Sequence, residues 1–329
     1  MRAVVYREYG SPDVLHLKEV EKPTPKRDEL LIKVHAAEAT KGDCEMRSFH
    51  FAVKWFWLPL RIALGVFKPR NPILGGYFAG EVESTGEDVS KFKKVDQIFG
   101  ATKLMMGAYG EYICLPERYT IALKPSNMSF EEAAVVPLGG LNALHFMRRA
   151  KIQSGDKVLI NGAGGSIGTF AVQIAKTMGA EVTTVDSTIK GEMLLSIGAD
   201  HFIDYSRETF TQSGQNYDVI FDMVARSSYS ECMKVLNPGG RYLMGNPRLS
   251  DMLRSVMTSM LTDKTAIFAF AGEKEEELLA LRQMIEDGKV KSVVDKVYPM
   301  EGAAQAHRRV ETEQRLGTVV ISTGQQTKN

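Results

Sequence analysis

The sequence is poor in cysteine, with three in 329 residues. They lie far apart, at Cys44, Cys114 and Cys232, and this odd, scattered set argues against a disulfide framework and fits a reducing cytoplasm. No C-x-x-C or H-E-x-x-H spacing occurs, so no metal-binding motif stands out. Charge of one sign is also lacking, because 41 basic residues face 40 acidic ones. Without a basic block or an acidic tail, the sequence gives no indication of nucleic-acid binding.

Long apolar runs are scarce as well. The opening residues, MRAVVYREYG, lack the apolar core of a secretory signal. The most apolar stretch, FAVKWFWLPLRIALGVF at 51–67, holds both tryptophans, but it is shorter than a membrane span of about 20 residues and is interrupted by Lys54, Pro59 and Arg61. We expect a helical flap packed on the protein's own surface. A lid over an apolar pocket and a contact with a membrane surface stay open as alternatives.

Two parts of the chain have different hydrophobic patterns. Residues 1–124 hold short β-prone runs such as LLIKVHA and AGEVEST, separated by glycine, proline and aspartate, which is typical of an all-β domain. Beyond them strands alternate with helices: KVLIN precedes a helix in which Ile167, Phe170 and Ile174 lie on one stripe. Such alternation predicts an α/β fold with a parallel sheet covered by helices. The tail, 296–329, has the pattern of a strand, a helix and a last strand.

A cluster of glycines follows the first strand of the alternating part, in VLINGAGGSIG at 158–168. The start of a helix exposes unpaired N–H groups and a partial positive charge, and glycine lets a phosphate approach them. The register from Ala163 to Gly168 is A-x-G-x-x-G, one position away from the dinucleotide fingerprint, and Asp186 ends the next strand near the spacing expected of a ribose ligand. We therefore predict a dinucleotide site whose turn comprises Gly162, Ala163, Gly164, Gly165, Ser166 and Ile167.

With LINGAGGSIGTFAVQIAKTMGAEV, GGYFAGEVESTG and GAYGEYICLPE, the sequence resembles the medium-chain dehydrogenase/reductase superfamily, and within it the zinc-independent quinone oxidoreductase branch. The likeness runs over nearly the whole chain, from RAVVY to GTVVIS. It implies a GroES-like β-barrel catalytic domain at 1–124, a Rossmann domain with helices on both faces of its sheet at 125–295, and a C-terminal return to the first domain at 296–329. The active site would lie in the cleft between the domains.

The positions where zinc-bearing members of the superfamily place their ligands hold other residues here. Thr40 stands three residues before Asp43, where those members have a cysteine. Gly76 and Tyr77 stand where they have a His-Glu pair, and Leu138 stands near the place of a third ligand. Because hydroxyl and aliphatic side chains do not replace thiolate and imidazole at tetrahedral zinc, we expect a metal-free site.

The sequence gives opposing indications about whether the cofactor is NADH or NADPH. A carboxylate at Asp186 could accept both ribose hydroxyls and repel a 2′-phosphate, which favours NADH. In the quinone oxidoreductases that the sequence resembles, the residues matching Lys190 and Tyr205 hold the 2′-phosphate, so we expect NADPH, with NADH still open. The alternative is that Lys190 is a solvated charge and Tyr205 packs on the sheet. The rest of the predicted cofactor-binding set is Ser187, Thr188, Val224 and Asn142, the last at the start of a predicted helix.

The expected reaction is reduction of a small-molecule quinone or α,β-unsaturated carbonyl by the reduced nicotinamide, because a conjugated acceptor spreads the developing charge onto oxygen without a metal. Tyr77 and Thr40 are the predicted hydrogen-bond donors. Lys41 and Asp43 share the turn of Thr40, and Tyr109 is a further candidate in the cleft. The alternatives are that Asp43 caps a local helix and that both tyrosines belong to the core.

Two other functions stay open at this point: a zinc-free alcohol or aldehyde oxidoreductase, and a cofactor-binding scaffold at a membrane or partner, for which 51–67 is the only support. The resemblance also implies a homodimer, with TAIFAFA at 265–271 as the edge strand that pairs across a two-fold axis. We expect structural roles for the histidines that have no visible partner, which are His35, His50, His145 and His307.

Overall fold

The structure is a computed structural model that describes residues 1–51, 57–225, 227–269 and 272–324. Its strands are β1 (Arg2–Val5), β2 (His16–Glu19), β3 (Glu29–Ala39), β4 (Tyr77–Thr85), β5 (Gln97–Ala101), β6 (Tyr112–Pro116), β7 (Ile121–Leu123), β8 (Lys157–Asn161), β9 (Glu181–Asp186), β10 (His201–Asp204), β11 (Tyr217–Asp222), β12 (Leu236–Met244), β13 (Thr265–Phe268), β14 (Val294–Pro299) and β15 (Thr318–Ser322).

The α-helices of the described residues are α1 (Lys41–Ser48), α2 (Trp57–Leu64), α3 (Phe130–Ala134), α4 (Val136–Ala150), α5 (Ser166–Thr177), α6 (Gly191–Ser196), α7 (Tyr229–Lys234), α8 (Leu249–Leu261), α9 (Glu275–Glu286) and α10 (Ala303–Glu311). The predicted apolar stripe of α5 faces the core: Phe170 and Ile174 are fully buried, and Ile167 packs against the same cluster.

The first sheet joins the two ends of the chain. Its strand order is β14-β15-β3-β4-β5-β7, with β6 paired to β3 as well. The C-terminal strand β15 runs antiparallel to β3, with Val319 opposite Ala39 and Val320 opposite Glu38. This pairing brings the start of β15 next to the end of β3, which Thr40 follows directly.

The second sheet is parallel throughout, with strand order β10-β9-β8-β11-β12-β13. This is the order of a Rossmann sheet, whose direction of winding reverses between β8 and β11, and ligands bind beyond the carboxyl ends of the strands at that point. The glycine turn after β8 therefore lies where a dinucleotide is expected. The predicted α/β fold class, with a Rossmann sheet beside a GroES-like domain, is confirmed.

One continuous apolar core joins the two sheets. It includes Phe99 and Ala79 of the first sheet, Leu141 and Phe146 of α4, and Phe221 of the second sheet, all of them buried. Burial of this many apolar side chains at one junction stabilises the relative placement of the two parts. The cleft between the two sheets therefore has a packed domain on each side.

Two local features differ from what the sequence patterns indicate. The N-P-G-G segment at 237–240 has a composition typical of a turn, but it is part of β12; it contains Gly239 at φ +72°, and the register with β11 shifts there. Asn142 lies inside α4 and not at the start of a helix, since Pro137 fits the first turn and moves the start back to Val136. Its amide donates to the Leu138 carbonyl at 2.9 Å.

The apolar stretch at 51–67 is a helix over its described part, α2, and the prediction for 52–56 lies outside the described residues. The Trp57 ring packs edge-on against Phe49, and the Arg61 guanidinium lies 4.3 Å from the ring centroids of Tyr9 and Phe49. These contacts hold α2 on the protein's own surface, although Phe67 beyond it is 92% exposed. Among the described residues, none of the helices is both long and apolar enough to cross a bilayer.

Candidate active site

The glycine turn is shaped by two glycines that no other residue could replace without strain. Gly162, directly after β8, has φ +83°, a conformation that L side chains rarely adopt. A Cβ at Gly168 would lie 2.4 Å from the Ala163 carbonyl oxygen, so only glycine lets α5 pack this closely on the turn. The turn therefore directs the start of α5 toward the carboxyl end of the sheet.

Gly165 and the start of α5 form a surface that suits an anion. Gly165 is the N-cap of α5 and has no side-chain cap, so the first N–H groups of the helix lack a side-chain partner. A Cβ at Gly165 would have only Arg315 Nη2 nearby, at 3.8 Å. Backbone donors, a helix dipole and a guanidinium thus face one open space, which fits the diphosphate of a dinucleotide.

Arg315 is a residue that the sequence did not point to. It lies between α10 and β15, about 150 positions beyond the glycine turn, and its Nη1 donates to the Val310 carbonyl at 2.8 Å and to Glu313 Oε2 at 3.2 Å. The Gly317 N–H donates to the Gly164 carbonyl at 3.1 Å, which fixes this segment on the turn. The only sequence signal was the implied C-terminal return, without a named residue.

Asp186 and Lys190 are bound to each other and to the turn. Asp186 Oδ2 accepts from the Gly164 N–H at 2.7 Å, while Oδ1 accepts from the Ser187 N–H at 2.8 Å and lies 2.9 Å from Lys190 Nζ. Both side chains are buried, so the alternative that Lys190 is a solvated charge is wrong. Its positive charge offsets the carboxylate that would repel a 2′-phosphate.

The remaining predicted cofactor residues lie around this pair. Tyr205 is 62% exposed and does not pack on the sheet, contrary to the alternative considered for it. The Thr188 hydroxyl donates to Asp204. A Cβ at Gly162 would lie 3.4 Å from Val224, so Val224 flanks the turn from the β11 side.

A pocket of about 390 Å³ lies at the other end of the cleft. Several of its lining residues were predicted from the sequence: Thr40, Asp43, Tyr77 and Leu138. Gly76, named from the resemblance together with Tyr77, also lines it. The sequence did not indicate its other lining residues, which are Gly42, Met46, Lys103, Leu104, Met106 and Glu273. The walls combine methionine and leucine side chains with a few polar groups, as is typical of small-molecule sites.

Thr40 and Asp43 form a capping box at the start of α1. The Thr40 hydroxyl donates to Asp43 Oδ2 at 2.6 Å and accepts from the Asp43 N–H at 2.9 Å, while the Gly75 N–H donates to Asp43 Oδ1 at 3.1 Å. Burial raises the pKa of Asp43, and these hydrogen bonds oppose the shift. The helix-capping alternative for Asp43 is confirmed. The single hydroxyl proton of Thr40 is therefore already used.

Tyr77 begins β4 and faces Glu273 across the pocket. Burial raises the pKa of Tyr77, and the charge of Glu273 raises it further, so the phenol stays protonated. Burial also raises the pKa of Glu273, while Lys103 and the Tyr77 hydroxyl oppose that shift. The backbone carbonyl of Glu273 accepts from the Thr120 hydroxyl at 2.7 Å, which ties the loop before α9 to the first domain.

Two predicted catalytic residues lie outside the pocket. The Lys41 side chain is mostly exposed and pairs with Glu313 at 2.6 Å, because it projects from the outer face of α1. Tyr109 is fully buried in the core, where its hydroxyl lies 3.1 Å from His307 Nε2. His307 Nδ1 in turn lies 3.4 Å from Cys44 Sγ, and burial lowers the pKa of His307 to about 3, which supports a structural role.

Glu38 is a buried acid between the two ends of the cleft that sequence reasoning missed. It is 2% exposed, and its Oε2 has no hydrogen-bond partner among the described residues; the same is true of the Ser166 hydroxyl at the start of α5. Burial raises the pKa of Glu38 to about 8, and Asp43 adds to that shift while Ser166 and Arg315 oppose it. Its position among Ala36, Ala37 and Ala39 at the end of β3 was the available signal.

Thr40, Tyr77 and Leu138, at the ligand positions of zinc-bearing relatives, line one pocket. They provide two hydroxyls and an aliphatic side chain, a set that does not suit tetrahedral zinc. Within the described part of the chain, no group of three or more His, Cys, Asp or Glu residues is arranged to hold a metal ion.

Comparison with known proteins gives the family. Residues 26–125 match the alcohol dehydrogenase GroES-like domain, and residues 197–321 match a family described as zinc-binding dehydrogenase. A 2-methylene-furan-3-one reductase of Solanum lycopersicum is 32% identical over 98% of this chain and 79% of its own length. A quinone oxidoreductase of Sus scrofa is 31% identical over 94% of both chains.

A solved structure has the same fold. The quinone oxidoreductase from Coxiella burnetii superposes with a TM-score of 0.86 at 26% identity, covering 98% of this chain and 99% of its own. Together with the Rossmann order of the second sheet and the glycine turn, these likenesses confirm the resemblance found in the sequence. The chain belongs to the quinone oxidoreductase-like branch of the medium-chain dehydrogenase/reductase superfamily and is an NAD(P)H-dependent oxidoreductase.

Proposed function

We propose that this enzyme uses NADPH to reduce quinones or α,β-unsaturated carbonyls, and that it needs no zinc. The observation that carries the proposal is the pocket at the other end of the cleft from the glycine turn, in which Tyr77 presents a hydroxyl where zinc-bearing members have metal ligands. The names of the relatives agree: one is a quinone oxidoreductase, one a furanone reductase, and a third, from Arabidopsis thaliana and 31% identical, is an NADPH-dependent alkenal/one oxidoreductase.

The chain's own residues would position both reactants. When bound, the reduced nicotinamide supplies a hydride. The N–H groups at the start of α5 and the Arg315 guanidinium would hold the diphosphate of the cofactor. Met46, Met106 and Leu138 line the pocket and exclude water from the acceptor, while the Tyr77 hydroxyl donates to the acceptor oxygen as negative charge develops there.

Lys190 and Tyr205 support the choice of NADPH. Lys190 is held beside Asp186 by a 2.9 Å ion pair, so the carboxylate is already balanced by one positive charge. Tyr205 exposes its ring near the end of β10, and Ser187 and Thr188 add hydroxyl groups to the same edge of the sheet. A 2′-phosphate can accept from Lys190, Tyr205 and the Ser187 hydroxyl, whereas a ribose diol would use the carboxylate alone.

The decisive experiment is a panel of acceptors with both nicotinamides. We expect purified enzyme with a chelator present to oxidise NADPH when a benzoquinone or a short enone is supplied, and to do so faster than it oxidises NADH. Turnover of alcohols with NADP+ but not of quinones would favour the alcohol oxidoreductase alternative. Loss of turnover on stripping zinc, with recovery on adding it back, would contradict the zinc-free proposal.

We also propose the remaining assignments that the resemblance implied. The division into 1–124, 125–295 and 296–329 agrees with β14 and β15 joining the first sheet. A reducing cytoplasmic setting agrees with Cys44, Cys114 and Cys232 all being free thiols.

The proposed homodimer has support in α8 and β13. Strand β13 is an edge of the parallel sheet, and α8 packs on it, with Ser255 of α8 buried. Most residues of α8 that face solvent are apolar, although Ser250, Arg254 and Ser259 are also exposed. The exposed apolar residues are Leu249, Leu253, Val256, Met257, Met260 and Leu261. A second copy placed across this edge would cover an apolar face that water otherwise contacts. Residues 270–271 of the predicted edge segment lie outside the described residues.

The oligomeric state tests this proposal directly. We expect light scattering coupled to gel filtration to give twice the chain mass for the wild type and the chain mass for L253E, because a charge in the apolar face must be desolvated on pairing. L195E is the matched control, since Leu195 is an exposed leucine of α6, away from α8. A monomeric wild type, or a dimer that L253E leaves intact, would rule out this interface.

A further inference from the structure

The proposed reaction leaves a proton to be supplied. When a hydride adds to a conjugated acceptor, the acceptor oxygen becomes negative and must be protonated. Thr40 does not serve, since its hydroxyl proton is donated to Asp43 at 2.6 Å. Tyr77 is the other hydroxyl that lines the pocket, and a phenol that gives up its proton must recover it before the next turnover.

Glu273 is the acid placed to restore that proton. It belongs to the cofactor domain, two residues before α9, yet it lines the pocket together with Tyr77 of the first domain. The Thr120 hydroxyl donates to the Glu273 backbone carbonyl at 2.7 Å, which anchors Glu273 beside the first domain. The side chain is half-buried, which leaves it a path to solvent.

The other acids near Tyr77 are less suited to this role. Asp43 accepts from the Thr40 hydroxyl and from the Gly75 N–H, so its oxygens are occupied. Glu38 is fully buried and faces Ser166 on the cofactor side, where it cannot exchange protons readily with water. The charges of Asp43 and Glu38 nonetheless raise the pKa of Tyr77, as does the charge of Glu273. Lys103 is the cation whose charge lowers the pKa of Glu273.

We propose that Glu273 is a positioning residue that acts through Tyr77: its neutral carboxyl donates to the phenol oxygen, turns the phenol proton toward the acceptor oxygen, and then replaces that proton. The inference rests on the proposed function. Addition of hydride to the conjugated carbon of the acceptor would move its π electrons to oxygen. The Tyr77 O–H bond breaks and an O–H bond forms on the acceptor. The Glu273 O–H bond then breaks to reform the Tyr77 phenol, and the Glu273 carboxylate takes a proton from water.

This relay has a definite pH dependence. A neutral Glu273 is the competent form, so kcat should fall as the pH rises through the pKa of its carboxyl. Burial raises the pKa of Glu273 and thereby extends the competent range upward, against the opposing effects of Lys103 and Tyr77. A glutamine at this position can still donate a hydrogen bond to Tyr77 but carries no proton to transfer.

The test compares E273Q with E275Q, Y77F and the double variant Y77F/E273Q. Glu275 is a matched control because it lies two residues along and pairs with Lys91 at 2.9 Å, outside the pocket. With NADPH and a benzoquinone, we expect E273Q to lower kcat about 30-fold with little change in KM, to lose the high-pH decline and to reduce the solvent deuterium isotope effect. E275Q should behave as wild type, and adding E273Q to Y77F should cost nothing more.

A spectroscopic readout on the cofactor-free protein separates this inference from the proposed function. Beside the neutral-carboxyl band of Glu38, which should be common to all the proteins, we expect a second such infrared band to titrate in wild type and E275Q, to be lost in E273Q, and to shift in Y77F. If wild type reduces no acceptor, the proposed function fails, and the infrared bands alone then decide the Glu273–Tyr77 contact. Wild-type turnover with an unchanged pH profile in E273Q, or an unshifted band in Y77F, would overturn the inference.

If E273Q does not fold, E273D replaces it in the test. We expect E273D to keep the decline of kcat at high pH at a lower kcat, and loss of that decline would contradict the relay.

Discussion

The two ends of the cleft are built in different ways. At the cofactor end, seven consecutive residues, 162–168, form the turn, and backbone groups do most of the binding. At the substrate end, Thr40, Tyr77, Leu138 and Glu273 come from four separate segments and meet only because two sheets share a core. The first site is therefore local in sequence and depends on the absence of side chains. The second site depends on long-range packing and on the functional groups of its side chains.

Replacing Gly165 by valine should give the largest effect, and it tests the backbone-built end. Gly165 has extended dihedrals, φ −97° and ψ −175°, which valine adopts readily, so the fold should survive. The branched side chain would occupy the space beside Arg315 that the diphosphate needs. We expect NADPH affinity, measured by calorimetry, to fall about 100-fold, or roughly 2.7 kcal/mol.

G324V is the control for this prediction, because Gly324 also has open space around it, with Ser322 Oγ at 3.9 Å, but lies away from the turn. It should bind NADPH as wild type does. Unchanged affinity in folded G165V would show that the diphosphate binds elsewhere and would remove the contrast between the two ends.

The same contrast explains what the sequence could reveal. The glycine turn, the strands around it and the α5 stripe follow from local pattern, since each depends on neighbours a few residues away. Tyr77 and Thr40 were found only through the resemblance, and Lys41 and Tyr109 were misplaced because nearness in sequence does not fix which face of a helix or strand a side chain occupies. Glu273 and Arg315 had no local signal, because their partners are more than 100 residues away.

Glu38 lies where the two ends meet, and its charge should affect stability more than binding. Its pKa is raised to about 8, so between pH 4.5 and 8 the folded chain holds a proton that the unfolded chain has lost. Stability therefore falls as the pH rises through this window. Between pH 6.5 and 8 we expect wild type to lose roughly 1.5 kcal/mol relative to E38Q, at no more than 1.36 kcal/mol per pH unit.

Urea unfolding of the cofactor-free proteins at several pH values measures this difference. His307 does not confuse the comparison, because its pKa is lowered to about 3 and it affects stability only below about pH 6.5. Asp43 and Arg315, the charged neighbours of Glu38, are unchanged in both proteins. Parallel stability curves for wild type and E38Q would mean that Glu38 ionises freely and that the junction is wetter than its burial indicates.

The smallest expected effect concerns Tyr205, a side chain at the cofactor end that we expect to bind the 2′-phosphate. Tyr205 is 62% exposed, so its hydroxyl exchanges a hydrogen bond with water for one with a 2′-phosphate, and the net gain is modest. We expect Y205F to weaken NADPH binding about threefold while NADH binding, which serves as the internal control, stays the same. An equal loss for both cofactors would place Tyr205 on the adenosine rather than on the phosphate. If neither cofactor bound more weakly, Lys190 would be the remaining phosphate ligand at this edge. Because Lys190 is paired with Asp186 at 2.9 Å, the preference for NADPH would then depend on breaking that ion pair.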